Sequence, residues 1–174
     1  MARKNEPVNE IMEQGFVMVR VFDAPRALVF KVFTEPAHLA KWWGPKGFTI
    51  HVSKLDLRPG GIFLFCMQSP EVEMWAKFVY REIVEPERLV YVLSFSDAEG
   101  NTTRQPESPT WPLEMLTTVT LSEHQGKTTL TLKVVPVNAT AEEHKTFEEG
   151  FPSMQQGFTG TWDQLADHLA EIQG

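Results

Sequence analysis

The sequence predicts an α+β fold: a single antiparallel sheet of about seven strands, two short helices after the first strand, and a long C-terminal helix. Three observations predict it. Seven segments alternate apolar and polar residues with the two-residue period of half-buried strands. Only the first of them is separated from the next by a long crossover, so the sheet is expected to be antiparallel. Near the end, Met154, Phe158, Trp162, Leu165, Leu169 and Ile172 recur every three or four residues, which lines them up as one helical stripe facing the sheet.

The first strand is read over Gly15 to Phe22, with Val17, Val19 and Val21 on one face. Pro25 to Phe33 forms the first helix. Thr34 is placed to cap a second, over Glu35 to Trp42, whose first turn tolerates Pro36 because the N–H that proline lacks would have no partner there. Gly44-Pro45 stops that helix and Lys46-Gly47 turns the chain; Phe48, Ile50 and Val52 then alternate with Thr49, His51 and Ser53. Strands follow at about 47–57, 61–68, 73–84, 88–97, 113–123 and 127–136, punctuated by Pro59-Gly60-Gly61, Ser69-Pro70, Glu85-Pro86 and Gln125-Gly126. Asp97 to Pro112 is an enlarged loop. In the final helix Gly157 and Gly160 each cost about 1 kcal/mol relative to alanine, so the pair needs a reason: close approach of helix to sheet, or space left beside the helix for a ligand.

A chain of 174 residues with 42% hydrophobic residues is the size of one domain, read here as 15–174 behind an extension over 1–14. A net charge of -7 without a basic face argues against a nucleic-acid partner. The single cysteine, Cys66, allows no internal disulfide or cysteine metal cluster and suits a reducing compartment. No apolar run approaches the ~20 residues of a membrane span, and the first residues lack the apolar core of a secretion signal. A cytoplasmic location and no membrane partner are expected.

Read whole, Thr34 to Gly61, with its Pro36 helix start, Trp42-Trp43-Gly44-Pro45 and Arg58-Pro59-Gly60-Gly61, resembles the signature of the homologue family of the heat-shock-protein-90 ATPase activator, a branch of the START-like (SRPBCC) superfamily. Val21-Phe22-Asp23-Ala24-Pro25, the run Tyr80 to Tyr91, the paired strands Thr117–Leu121 and Thr128–Leu132, and Gly160 to Leu165 extend the resemblance over about residues 15–172. It implies a helix-grip fold (START/Bet v-like): a curved antiparallel sheet around the C-terminal helix, with a cavity between them. The chain departs from the family pattern at the plain turn Met67 to Glu73, at Phe78, where a small residue is expected, and at the loop after Asp97.

Catalytic signatures are absent from the sequence. His38, His51, His124, His144 and His168 are scattered without metal-ligand spacing, and there is no nucleophile elbow, phosphate loop or dinucleotide fingerprint. No catalytic residue, metal or cofactor is assigned. Aromatic and methionine side chains are instead in surplus. Phe63, Phe65 and Met67 share a strand face, as do Phe78 and Tyr80, and Tyr91, Leu93 and Phe95. Trp42 and Trp43 point about 100° apart on a helix, so one indole is expected at a cavity rim or an interface. The residues expected to line an apolar pocket are Trp42, Trp43, Phe63, Phe65, Met67, Phe78, Tyr80, Trp111, Met154, Phe158 and Trp162. Ile62, Leu64 and Cys66 occupy the opposite strand face, and either a second copy of the chain, as a homodimer, or the segment around Val8, Ile11 and Met12 would cover them.

The expected function is binding of a small apolar molecule between sheet and C-terminal helix. The resemblance implies two others: a co-chaperone-like module that stimulates a heat-shock chaperone's ATPase, or an enzyme acting on a polyketide-like hydrophobic substrate.

Overall fold

Hairpin connections dictate the sheet. A computed structural model describes residues 15–174, with elements in the order β1 (Phe16–Phe22), α1 (Arg26–Thr34), α2 (Pro36–Trp42), β2 (Thr49–Leu55), β3 (Ile62–Gln68), β4 (Glu73–Val84), β5 (Arg88–Ser96), β6 (Glu114–His124), β7 (Lys127–Val137), α3 (Ala141–Glu149) and α4 (Phe151–Gln173). β2 to β7 pair with their sequence neighbours, every pairing is antiparallel, and β1 closes the order β1-β7-β6-β5-β4-β3-β2 by joining β7. The first strand thus lies at the edge farthest from the second, and α1 and α2 carry the chain between them. Register shifts at Val52/Lys54 and Tyr80/Glu82 interrupt the ladders where the sheet bends. Gly61 sits at the second of these: Gly60 N–H donates to the Tyr80 carbonyl at 2.7 Å, and a Cβ on Gly61 would lie 2.1 Å from the Asp56 carbonyl oxygen, so no side chain fits.

Several local expectations are corrected. Thr34 does not cap α2. It ends α1, buried, with its hydroxyl donating to the Phe30 carbonyl at 2.9 Å, and Glu35 occupies the cap position without a side-chain bond. Val17, Val19 and Val21 of β1 do share one face, as expected, and it is the outer one, with Val19 and Val21 both 58% exposed, while Phe16 and Phe22 enter the core. Ile172, in the last turn of α4, is 40% exposed and so falls outside the buried stripe.

The sequence reading missed α3. Its signal was present in Thr140-Ala141-Glu142-Glu143: the Thr140 hydroxyl accepts from the Glu143 N–H at 3.1 Å while the Glu143 carboxylate accepts from the Thr140 N–H at 2.9 Å, a reciprocal capping box. On the outer side of β3, Leu64 and Cys66 are buried. The loop after β5 reaches Leu64 at Gly100, whose carbonyl accepts from Lys77 Nζ at 2.7 Å, and the Cys66 thiol meets Glu73 of β4 at 3.6 Å. Val8, Ile11 and Met12 lie outside the described residues.

Candidate ligand-binding site

The concave side of the sheet divides along its strands into a packed half and an open half. The packed half lies beneath the C-terminal part of α4, where Trp162, Leu165 and Leu169 are sealed against the sheet. Trp162 is its hub, with ring centroids 5.5 Å from Phe158, 6.1 Å from Phe33, and 6.2 Å from both Phe22 and Trp42. Trp42 is fixed here as well, donating its indole N–H to the Val32 carbonyl at 3.0 Å.

The open half is a cavity of about 400 Å³. Phe65 and Met67 of β3, Met74 and Ala76 of β4, Leu93 and Phe95 of β5, Met115 of β6 and Val134 of β7 form its sheet wall. Ala76 lies in register between Phe65 and Phe95 and is the small residue that leaves room. Met154, Gly157, Phe158 and Thr161 of α4 form the roof, the corner Trp43-Gly44-Pro45 one side, and Gln105, Ser108 and Trp111 of the long loop another. Among the described residues lining it, none carries a charge.

Of the residues expected to line a pocket, Trp43, Phe65, Met67, Trp111, Met154 and Phe158 are brought together around this cavity. Trp42, Phe63, Phe78, Tyr80 and Trp162 are not. Phe63, Phe78 and Tyr80 share strand faces with lining residues but sit two to four residues farther along their strands, while Trp42 and Trp162 pack together on the helices. Phe78 stacks on Tyr91 at 3.8 Å and stands edge-on beneath Trp43 at 5.4 Å, so it supports the wall from behind. Burial holds the phenols of Tyr80 and Tyr91 well above their ordinary pKa, and Tyr80 adds to the effect on Tyr91. Both are neutral packing groups. Trp42 and Trp43 diverge because Trp43 is already extended, with ψ of 144°, where the chain leaves α2.

Two bolts hold the walls. The Gly44 carbonyl accepts from the Thr161 hydroxyl at 3.0 Å and from Gln164 Nε2 at 2.9 Å, which ties the corner after α2 to α4. On the other side, Arg104 reaches the Trp111 carbonyl at 3.1 Å and pairs with Glu143, whose carboxyl is held below its usual range first by the bond from Arg104 and then by that from the Thr140 N–H. The Thr110 and Thr146 hydroxyls meet at 2.8 Å. Trp111 seats against Gly150, where a Cβ would approach its ring to 3.0 Å. The enlarged loop after Asp97 is therefore a wall fastened to α3. Gln105 and Ser108, its polar contributions, were missed because loop residues carry no periodicity. Leu93 and Phe95 were read as a strand face but not assigned to the pocket.

Sheet, gripping helix and cavity match a known family. The model for the Activator of Hsp90 ATPase homolog 1-like protein matches residues 23–170. The chain belongs to that family. Its fold recurs in protein Ms6760 from Mycobacterium smegmatis, 22% identical over 91% of this chain and 92% of that one with a TM-score of 0.74. Protein NE0264 from Nitrosomonas europaea is 26% identical over 90% and 94%, TM-score 0.69. DynU16, from the dynemicin biosynthetic locus, is 17% identical over 89% of this chain but 46% of its own length, TM-score 0.62. No curated protein matches the chain. The helix-grip architecture goes with membership of this family. Among the described residues no group of three or more His, Cys, Asp or Glu is disposed to hold a metal, and no helix is long and apolar enough to cross a membrane.

Proposed function

We propose that this chain binds a small, largely apolar molecule in the cavity between its sheet and α4. The observation that carries the reading is the lining: four methionines (Met67, Met74, Met115, Met154) and five aromatics (Trp43, Phe65, Phe95, Trp111, Phe158) surround about 400 Å³ with no charged side chain. A space of this size and polarity matches sites that hold small ligands, and methionine adapts its shape to whatever enters. Ser94, Gln105, Ser108 and Thr161 are its few polar residues and are suited to orienting a ligand. No lining group is placed as a nucleophile or a general base, which favours binding over catalysis.

Native mass spectrometry of the purified protein is expected to retain a small molecule. Titration with a neutral apolar dye should then give saturable fluorescence and raise the melting temperature by mass action. A dye that neither saturates nor stabilises would overturn the reading. The family description supports a second reading, a co-chaperone-like module. Purified chain added to an Hsp90-type chaperone tests it by the rate of ATP turnover.

A further inference from the structure

The two glycines inside α4 each cost about 1 kcal/mol against alanine, and neither approaches the sheet. A Cβ on Gly157 would meet nothing within 4 Å, whereas on Gly160 it would meet the Lys46 side chain, with Cγ at 3.4 Å and Cδ at 3.6 Å. Gly157 and Pro45 border the cavity and also border an open groove of about 530 Å³. They are the boundary that the two spaces share, and a side chain at Gly157 would enter space empty of other atoms within 4 Å.

The groove differs from the cavity in chemistry. Lys46, Ser153, Gln156, Thr159 and Asp163 line it. Lys46 lies across α4 at Gly160, its side chain 64% exposed and its ammonium 3.8 Å from Asp163 Oδ2. Asp163 Oδ1 is already taken by Arg20 at 2.8 Å. Arg20, from outside the groove, shares that carboxylate with Lys46, so Lys46 is only partly paired within the groove. Lys46 is loosely held and free to turn to another anion.

We propose that this groove is the headgroup site for an amphiphilic carboxylate, whose apolar tail passes between Pro45 and Gly157 into the cavity while its head stays on Lys46. The proposal rests on the cavity's taking an apolar ligand and adds the ligand's charge and direction of entry. A carboxylate cannot follow the tail inward, because no charged partner lines the cavity to offset its desolvation. The groove supplies a cation at that boundary, where water still solvates the head.

Displacement of the neutral dye N-phenyl-1-naphthylamine from the intact protein by dodecanoate and by dodecanol tests this. Lys46→Met keeps the stem across Gly160 and removes the charge. It should weaken dodecanoate about three- to fivefold, the range of an exposed ion pair, and leave dodecanol unchanged. The difference should fade at about 0.5 M salt, and acetate, the head without a tail, should not displace the dye. Gly157→Leu should weaken both amphiphiles. Equal effects of Lys46→Met on both, or on neither, would overturn the headgroup site while leaving the apolar cavity intact. Failure of the unaltered protein to bind the dye and both amphiphiles would overturn the cavity reading and this proposal with it.

Discussion

Trp162 and Tyr80 show two kinds of buried aromatic. Trp162 is fully buried at the meeting of β1, α1, α2 and α4, so Trp162→Ala should cost on the order of 3–5 kcal/mol in denaturant unfolding. A loss under about 1 kcal/mol would be inconsistent with this placement. Tyr80 is as deeply buried, yet its hydroxyl, like Thr117 Oγ1 and the Trp162 indole N–H, has no hydrogen-bond partner among the described residues. An unpaired buried hydroxyl costs about 1–3 kcal/mol, so Tyr80→Phe should be neutral or stabilising and should leave dye binding unchanged, because Tyr80 lies outside the cavity. Gly157→Ala should raise stability by about 0.5–1 kcal/mol, since the new methyl meets nothing and the helix loses less entropy on folding.

At the scale of elements, two junctions set the cavity's walls. The first joins the β5–β6 loop to α3. Removing the hydroxyl of the capping box with Thr140→Ala should cost about 1 kcal/mol. Arg104→Met should release the loop and speed dissociation of bound dye in stopped-flow measurements, with a smaller effect on global unfolding, because the loop adds little to the packed core. The second joins α2 to α4, where His38 Nδ1 and His168 Nε2 lie 2.9 Å apart, so at least one ring must be neutral to accept. Burial, then the adjacent His38, and Lys41 hold the His168 pKa below its ordinary value, against a smaller opposite pull from Glu171; Glu35 faces His38 at 3.7 Å. The unfolded chain therefore takes up a proton here more readily than the folded one. This contribution is intact above about pH 6.5 and is lost as pH falls through that value toward the lower folded one. Melting temperature should fall between about pH 7.5 and 5.5, and less steeply in His168→Gln.

For the whole molecule, the sheet's inner surface is shared between stability and binding. Beneath the second half of α4 it is filled, and beneath the first half it is left open, with Ala76 and Gly157 as the small residues on facing walls. Large-to-small changes in the packed half should lower stability without altering ligand affinity. Gly157→Leu in the open half should block uptake more than it destabilises, because the space it fills is empty of protein. Unfolding and dye titration measured on the same variants separate the two outcomes.

Alternation, turn residues and the stripe of α4 are local or short-range signals, and they determined the strands to within about two residues, the antiparallel pairing and the helix that the sheet grips. The motif order from Val21 to Leu165 determined the family. Tertiary structure decided the rest. That β1 joins β7 is a pairing across most of the chain, which no periodicity encodes. That Trp43 reaches the cavity and Trp42 does not depends on where α2 unwinds. Phe63 and Phe65 share a strand face and a residue type, and only the tertiary packing makes one core, against Phe78, and the other cavity wall. A cavity is space left between elements, and the sequence specifies the elements before it specifies their distance apart.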